Sequence, residues 1–537
     1  MPSLAPRSHL ATHDVTNQPP ARGDLPLWQE DPLLRRACAG LPAPRADALA
    51  AYGAEMGSEA AQEDGRAANR YPPELRIFDP GGRRLDEVAF HPAWHALMAR
   101  GIGAGYAATA WEPAPGGHLH HAAMVYLASQ IEPGHCCPMT MTYAAVPPLR
   151  VHAPDWLPGI MARRYDPASA PAAAKTGLTI GMAMTEKQGG SDVRANTTRA
   201  EPDGEGWRLI GHKWFCSAPM CDAFLTLAQA PGGISCFLVP RWTPDGQRNA
   251  IHLMRLKDKL GNRSNASAEI EYHGAWARML GAPGEGVRTI LAMVHHTRLD
   301  TAMAPAGLMR RALSEAHHWT AHRTAFQRRL IDQPLMRVVL ADLAIDWAGA
   351  LLLGLRVARA FDAPDGAPLA RIAVAIAKYW SNARCPQVIF EAMQCLGGAG
   401  YVEEGVMPLL FRESPLNAIW EGSGNVICLD ILRALTRNPD SAEALRAELA
   451  AAAGRDARYD AALARVEAML RMPAEAEART LAEALALLLQ AGLALREGPE
   501  PLAEALIAAR IAAPRHGLGA LPREVDPGGL IALIGGE

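Results

Sequence analysis

The segment NAIWEGSGN, residues 417–425, places one carboxylate, Glu421, between apolar residues and a Gly-Ser-Gly turn. Beside Ile419 and Trp420 this carboxylate would have little water around it, so its pKa would rise toward that of a useful proton acceptor. The same composition is also typical of a helix start, where an acid interacts favourably with the positive end of the helix dipole. Taken alone, the segment leaves both interpretations open, a catalytic base and a helix-start residue.

Two further stretches carry small polar side chains that can donate hydrogen bonds. GMAMTEKQGGSDVRANTTRA, residues 181–200, places Thr185, two glycines and Ser191 just ahead of a strand-like region, and GHKWFCS, residues 211–217, ends in Ser217. Free amides and hydroxyls on such a loop can bind a polar ring system or a phosphate. Gly-Gly-Ser-Asp is also ordinary turn chemistry, so this pattern is a weak signal by itself.

The order of the motifs is more informative than any one of them. A Thr-bearing glycine loop is followed by G-x-K-x-aromatic-x-Ser, K-L-G-x-R, R-x-x-F with Gln-Pro shortly after, Q-x-x-G-G-x-G-Y and E-G-Ser. Together, over about residues 180–435, they resemble the acyl-CoA dehydrogenase superfamily of FAD flavoenzymes. MTEKQGGSDVRANTTRA, DKLGNRSNAS and IWEGSGN, with the N-terminal THDVTNQPP and RRLDEVAFHPAWH, are similar to its AidB branch, bacterial proteins linked to the response to alkylation damage.

The resemblance implies a role for particular residues. Glu421 would be the base that removes the α-proton of an acyl thioester, and Arg298 and Arg433 would lie near the acyl-CoA channel. The implied FAD contacts within one subunit are Met182, Thr185, Ser191, Phe215, Ser217, Ser423 and Asn425. The implied contacts to the adenine half of FAD, made from a neighbouring subunit, are Arg323, Phe326, Gln333, Gln394, Gly397 and Gly398. Phe215 occupies a position that is usually Trp in dehydrogenases.

Two functions from different classes follow from the resemblance. The first is FAD-dependent α,β-dehydrogenation of a short or branched acyl-CoA such as isovaleryl-CoA, or an oxidase variant that uses the same base. The second is a flavin-containing protein that binds and protects double-stranded DNA in the alkylation response, with little dehydrogenase activity. Residues 433–537 contain 12 Arg, no Lys and 15 acids, a net charge of −3, so a basic footprint for DNA is not visible there.

Composition bounds the remaining expectations. The net charge of the whole chain is −3, which gives no global attraction to nucleic acid or anionic membranes. The N-terminus lacks an apolar core of signal-peptide length and no run of about 18 apolar residues appears, so we expect a cytoplasmic protein with no membrane partner. The Cys136–Cys137 pair and HLHH at 118–121 lack metal-ligand spacing, and no metal is expected. One FAD that bridges two chains predicts a homotetramer, as in the family.

The succession of helix-like and strand-like patterns along the chain predicts a mainly α protein with a small central antiparallel β domain. Residues 1–180 are expected to form an N-terminal extension and a mostly helical domain, and the short β-like runs of residues 181–285 predict a small antiparallel sheet domain. The resemblance implies that this domain is a barrel or sandwich that contacts the flavin. Residues 286–437 form a four-helix bundle with Glu421, with helices near 287–329, 368–396 and 421–437 and a long amphipathic helix between the first two. Residues 438–537 form a helical extension, the candidate DNA-binding region.

Overall fold

The N-terminal region is mostly helical, as expected from its sequence. The protein is described by a computed structural model that covers residues 4–512, 514 and 517–535. The helices of this region are α1 Pro32–Ala37, α2 Ala43–Gly57, α3 Glu59–Arg70, α4 Pro92–Ala104, α5 Gly117–Ser129, α6 Cys136–His152 and α7 Leu157–Ile160. Asp31 caps α1 through the amide of Leu34, and Ser58 caps α3 through the amide of Ala61. All residues of α5 are buried, so this helix is central to the domain.

A small hairpin interrupts these helices and was not predicted. Its strands are β1 Glu74–Phe78 and β2 Arg84–Ala89, paired antiparallel. The connection is the Asp-Pro-Gly-Gly stretch from Asp79, in which Gly82 adopts a positive φ of 79°. Such a turn reverses the chain at low steric cost, because glycine tolerates the left-handed region.

The central domain is a seven-stranded sheet. Its strands are β3 Ile180–Ala183, β4 Arg199–Asp203, β5 Gly206–Ser217, β6 Ala223–Ala230, β7 Gly233–Pro240, β8 Ile251–Leu256 and β9 Ser267–Leu280. The order is β3-β6-β4-β5-β9-β7, with β8 on β9 and a further pairing of β6 with β7, so the sheet closes on itself as a small barrel. Most pairs are antiparallel, as expected, but β3 and β4 each meet β6 in parallel. The sheet is therefore mixed where the chain enters it.

The helical bundle follows the sheet. It consists of α8 Gly286–His322, α9 Pro334–Asp362, α10 Ala367–Cys395, α11 Met407–Glu413 and α12 Gly424–Arg437. Asn382 donates to the carbonyl of Thr301 and Cys385 to that of Pro305, so α8 and α10 run parallel with their N-terminal ends level. The first helix ends at His322 and not near 329, because β10 Thr324–Ala325 and β11 Arg328–Arg329 form a hairpin there. Its two turn residues, Phe326 and Gln327, both have positive φ.

The C-terminal extension packs against the bundle. Its helices are α13 Pro439–Ala450, α14 Ala457–Arg471, α15 Ala478–Glu497, α16 Glu500–Leu506, a π-helical turn Ile507–Ala512, and α17 Pro527–Gly535. Arg510 bonds both Asp342 and Asp346 of α9, and these three side chains are nearly inaccessible to solvent. The extension is thus continuous with the core of the bundle, and its removal would uncover buried acids.

Two helices are long and apolar enough to cross a membrane by length and composition alone. They are Pro334–Asp362 and Glu475–Glu497, and 89% and 67% of their most apolar windows are buried inside the protein. Core helices of proteins without a membrane satisfy the same criterion, so this is weak evidence for a span. The predicted domain boundaries near 180, 285 and 437 stay predictions.

Candidate functional site

Glu421 lies in the loop between a 3-10 turn at Leu416–Ala418 and α12. Its φ is 59°, in the left-handed region that non-glycine residues seldom adopt. Ser423 is the N-cap of α12, so Glu421 lies outside the helix and its first turn. Glu421 therefore does not cap α12, although it lies just ahead of the helix start. A strained conformation of this kind is often kept at a functional site.

The carboxylate of Glu421 is enclosed. Its Oε2 atom is buried and has no hydrogen-bond partner among the residues that the structure describes. Burial raises the pKa of Glu421, while the hydroxyl of Thr297 and the charges of Lys378 and Arg298 hold the rise back. A carboxylate with a raised pKa and a free oxygen has the properties of a general base.

Arg298 and Arg433 both lie beside Asp430, an acid that was not among the predicted site residues. Asp430 accepts a hydrogen bond from Arg298 Nη1 at 2.8 Å and two from Arg371, and lies 3.6 Å from Arg433. The Arg298 side chain is 12% exposed and also donates from Nε to the carbonyl of Glu421 at 3.2 Å. Arg298 therefore fixes the backbone of the base, whereas Arg433, 58% exposed, remains accessible to a ligand.

Lys378 is a second buried cation beside the Glu421 loop, and it was not among the predicted site residues. Lys378 of α10 donates from Nζ to the carbonyls of Asn417 at 3.0 Å and Gly422 at 2.8 Å. A lysine within the apolar stretch RIAVAIAKYW is the signal that could have identified it, because buried lysines are rare unless paired.

The predicted residues of the β domain meet where β3 and β5 lie side by side. Thr185, just after β3, accepts a hydrogen bond through its carbonyl from the amide of Trp214 at 2.8 Å. Phe215 and Ser217 lie two residues apart on β5 and so on one face of it. Phe215 is half exposed, and the Lys257 ammonium lies 4.7 Å from its ring centre. Met182 is half-buried on β3, and Ser191 is exposed on the glycine loop.

The β-domain residues and Glu421 meet at a buried thiol. The pKa of Cys137 is raised to about 12, mainly by burial and to a smaller extent by the charge of Glu421. Lys259, Asn265 and Ser217 act in the opposite direction on the same thiol. Cys137 thus interacts with Ser217 at the end of β5 and, through charge, with Glu421. All nine cysteines are buried and unpaired.

The residues assigned to the adenine half of FAD lie elsewhere in the chain. Arg323 Nη1 donates to the carbonyl of Asn17 at 2.7 Å, and Gln333 donates to the carbonyl of Ala325 at 3.1 Å. Phe326, at the tip of the hairpin, is 92% exposed. At about 1.5 Å rise per residue, Arg323 lies about 37 Å along α8 from Arg298 and hence far from Glu421.

The second part of this set lies just beyond α10. Gln394 is exposed and bonds Glu391 at 2.8 Å. Gly397 has a φ of 58°, and a Cβ at Gly397 or Gly398 would meet no atom within 4 Å. Because α8 and α10 are parallel, this open glycine surface is at the same end of the bundle as the hairpin.

The start of α12 contacts the C-terminal extension. Ser423 is exposed, and its side chain makes no capping hydrogen bond. Asn425 accepts a hydrogen bond through Oδ1 from Arg479 Nε of α15 at 2.8 Å. The described residues contain no group of three or more His, Cys, Asp or Glu that could hold a metal ion.

Three family models match the chain in succession. They are the adaptive response protein AidB N-terminal domain at residues 17–167, the acyl-CoA dehydrogenase middle domain at 181–275 and the acyl-CoA dehydrogenase C-terminal domain at 284–436. The putative acyl-CoA dehydrogenase AidB of Escherichia coli K12 is 45% identical over 508 residues, which are 93% of this chain and 94% of that protein. Acyl-CoA dehydrogenase family member 11 of Caenorhabditis elegans is 31% identical over 76% of this chain and 70% of its own length.

Solved structures support the same assignment. The apo form of Bd2924 superposes with a TM-score of 0.82 at 29% identity, over 90% of this chain and 99% of that one. ACDH-11 of Caenorhabditis elegans, in complex with C11-CoA, gives 0.81 at 26% identity over 94% and 93%. An FAD complex of an acyl-CoA dehydrogenase from Bacillus anthracis, at 15% identity and a TM-score of 0.69, over 90% of this chain and 88% of that one, shares the fold.

The expected fold class and family are thereby confirmed. The motif order between residues 180 and 435 and the AidB-like termini are matched by separate models. Acyl-CoA dehydrogenases are FAD-dependent oxidoreductases that act on CH–CH bonds. With 45% identity to AidB along almost its whole length, the chain belongs to the acyl-CoA dehydrogenase family, in its AidB-like branch.

Proposed function

We propose that the protein dehydrogenates a short or branched acyl-CoA between its α and β carbons, with Glu421 as the base. The observation that carries this proposal is the buried Oε2 of Glu421, which has no partner within the described part of the chain. Leaving a buried carboxylate oxygen unsatisfied is costly unless a ligand approaches it. An acyl α-proton is such a partner, and the raised pKa of Glu421 favours its capture.

The residues present fit FAD. Ser217 interacts with Cys137 and Thr185 bonds the β5 strand at Trp214, so both offer hydroxyls for a polar ring, and Arg323 offers a guanidinium for a pyrophosphate. The bare surface at Gly397 and Gly398 allows close approach of a ligand. When bound, FAD would accept the hydride from the β carbon of the acyl group. The chain itself binds the thioester, excludes water and takes the proton at Oε2.

We further propose a homotetramer in which two chains share each FAD. Arg323 lies about 37 Å along α8 from Arg298, which bonds the backbone of Glu421, and this is farther than one extended FAD reaches. The fully exposed ring of Phe326, on a turn with two positive φ values, supports a partner surface over the hairpin. A cytoplasmic location is also part of this proposal, because the buried, unpaired cysteines fit a reducing compartment.

The packing behind Thr297 supports a small acyl group. His296 lies next to Thr297 on α8, and its ring centre is 5.1 Å from that of Trp111 and 5.8 Å from that of Tyr143. His118 fills the space between them, 4.9 Å from Trp111. We take this ring cluster as the end of the acyl pocket, where contiguous rings would leave little room for a long alkyl chain. The C11-CoA in ACDH-11 supports a CoA thioester as the ligand class, and isovaleryl-CoA is our first candidate.

DNA binding by the extension is the alternative. The seven arginines of the C-terminal region that could gather on one face are Arg437, Arg446, Arg455, Arg458, Arg465, Arg471 and Arg510, and three of them are already neutralised. Arg446 pairs with Glu467, Arg458 with Asp456 and Glu504, and Arg510 with two acids of α9. Arg510 is also buried. The charge distribution thus supports the enzyme proposal more than the DNA proposal.

Anaerobic mixing of the FAD-loaded protein with a panel of acyl-CoAs tests the proposal. Bleaching of the flavin by a short branched acyl-CoA, faster than by long-chain ones, is the expected result. A flavin that no acyl-CoA reduces would contradict the proposed activity.

A further inference from the structure

Lys378 occupies a position next to the base that no assigned role explains. Lys378 is 1% exposed, and its ammonium is surrounded by α10 and the loop that carries Glu421. Taking a lysine out of water is expensive unless its donors are satisfied. Here the donors are used on the backbone of this loop, at Asn417 and Gly422.

The two carbonyls that Lys378 binds lie on either side of Glu421. Asn417 precedes the base by four residues, and Gly422 follows it directly. Gly422 has a φ of 106° and Glu421 one of 59°, so the loop contains two successive left-handed residues. A non-glycine residue in this region costs of the order of 1–3 kcal/mol and persists only when its surroundings enforce it. Lys378 supplies two of the contacts that do so.

The charge of Lys378 also acts on the carboxylate. Among the described contacts the two groups form no direct ion pair, but the Lys378 charge holds back the rise in the pKa of Glu421. Burial lowers the pKa of Lys378 to about 7, with Glu421 raising it and Arg298 lowering it. Further out, Asp430 of α12 and Arg371 of α10 face this group through Arg298.

We propose that Lys378 is a positioning residue for the base: its ammonium clamps the carbonyls on both sides of Glu421 and supplies part of the positive field on the carboxylate. The clamp keeps Oε2 aimed at the site in the absence of substrate. The field keeps Glu421 ionised, and hence able to accept a proton, at lower pH. This inference rests on the proposed dehydrogenase function.

The test compares the FAD-loaded variants Lys378→Met and Lys378→Gln with Arg384→Met. Arg384 lies on the same helix and pairs with Asp346. Asp346 keeps Arg510 as a partner when Arg384 is replaced. Arg384→Met therefore removes one cation from α10, as Lys378→Met does, but at a place away from Glu421. Two quantities are measured for each variant. They are the hydrogen-exchange rate of peptides covering residues 416–424 and the pH profile of anaerobic flavin reduction.

In Lys378→Met, exchange in residues 416–424 should accelerate by about tenfold or more, since the loop loses its clamp. The acidic limb of the reduction profile should move to higher pH by about one unit, because a neighbouring cation no longer favours the carboxylate. FAD content should stay at the wild-type level. Lys378→Gln, which is neutral but can still donate, should show the shift of the limb with a smaller change in exchange. If Lys378→Met does not fold, Lys378→Gln takes its place in the comparison with Arg384→Met.

Each other result is decisive. Unchanged exchange in the Lys378 variants, or equal acceleration in Arg384→Met, would overturn the clamp. Faster exchange with an unmoved acidic limb would overturn the electrostatic role. If no acyl-CoA reduces the wild-type flavin, the proposed function fails, and the exchange comparison alone then decides whether Lys378 positions the loop.

Discussion

Arg298 Nε donates a hydrogen bond to the backbone carbonyl of Glu421 at 3.2 Å, across 123 residues of sequence. The same guanidinium is fixed from its other side by Asp430 at 2.8 Å. The α8 helix therefore determines where the loop of the base lies, and the loop is held at three carbonyls by two cations. Residues near Glu421 should affect the reaction through geometry as well as charge.

Replacing Arg298 by Gln should slow anaerobic flavin reduction by about 10–100-fold, since displacement of the base by about 1 Å can cost that much. Asp430 keeps Arg371 as a partner, so the fold should survive. Arg371→Gln is the matched control, because it removes a cation from the same acid without touching Glu421. Equal slowing in both variants, measured by stopped-flow absorbance, would show that the Asp430 network and not the Glu421 contact matters.

Arg323→Ala should loosen FAD and weaken the tetramer together, because one contact is proposed to serve both. Flavin retention and sedimentation velocity on dilution measure the two effects. Arg329→Ala, on the same hairpin and paired with Asp332 at 2.8 Å, is the control and should retain both properties. Loss of flavin with an intact assembly under dilution would refute the shared site.

The pKa of Glu421 predicts how stability depends on pH. Because its folded-state pKa is raised above the ordinary 4.5, the folded protein binds this proton more tightly than the unfolded chain does. That contribution is fully present below pH 4.5 and is lost as pH rises through the folded pKa. Glu421→Gln should therefore melt above wild type at pH 8, with the gap narrowing toward pH 4.5. A gap that widens on acidification would show that the pKa is not raised.

If double-stranded DNA binds the extension, the binding should involve Arg437, Arg465 and Arg471, which make no ion pair in the described part of the chain. Changing all three to Ala should then reduce the slope of log affinity against log salt by about 0.9 for each phosphate that these arginines neutralise. Truncation is unsuitable, since α15 and Arg510 belong to the core. An unaltered slope, or no binding at low salt, would contradict DNA binding by these arginines and leave the enzyme proposal alone.

The sequence predicted features that local chemistry determines. The long amphipathic helix expected between the first two bundle helices is one of them, and it is present as α9. The motif around Glu421 identified the candidate base, because its apolar neighbours and glycines are contiguous. The hairpin at 324–329 was missed since Phe326-Gln327 carries none of the usual Asn-Gly chemistry. Lys378 was missed because its partners are carbonyls about 40 residues away, which no local pattern encodes.

The reduction rate of Glu421→Gln tests the central claim most directly. Glutamine keeps nearly the same shape but cannot accept the α-proton. With FAD content near one per chain and the acyl-CoA that bleaches wild type, anaerobic reduction should slow by about 10²–10⁴-fold, the usual contribution of a positioned base. A Gln variant that is reduced at the wild-type rate would contradict the account and place the base elsewhere in the pocket.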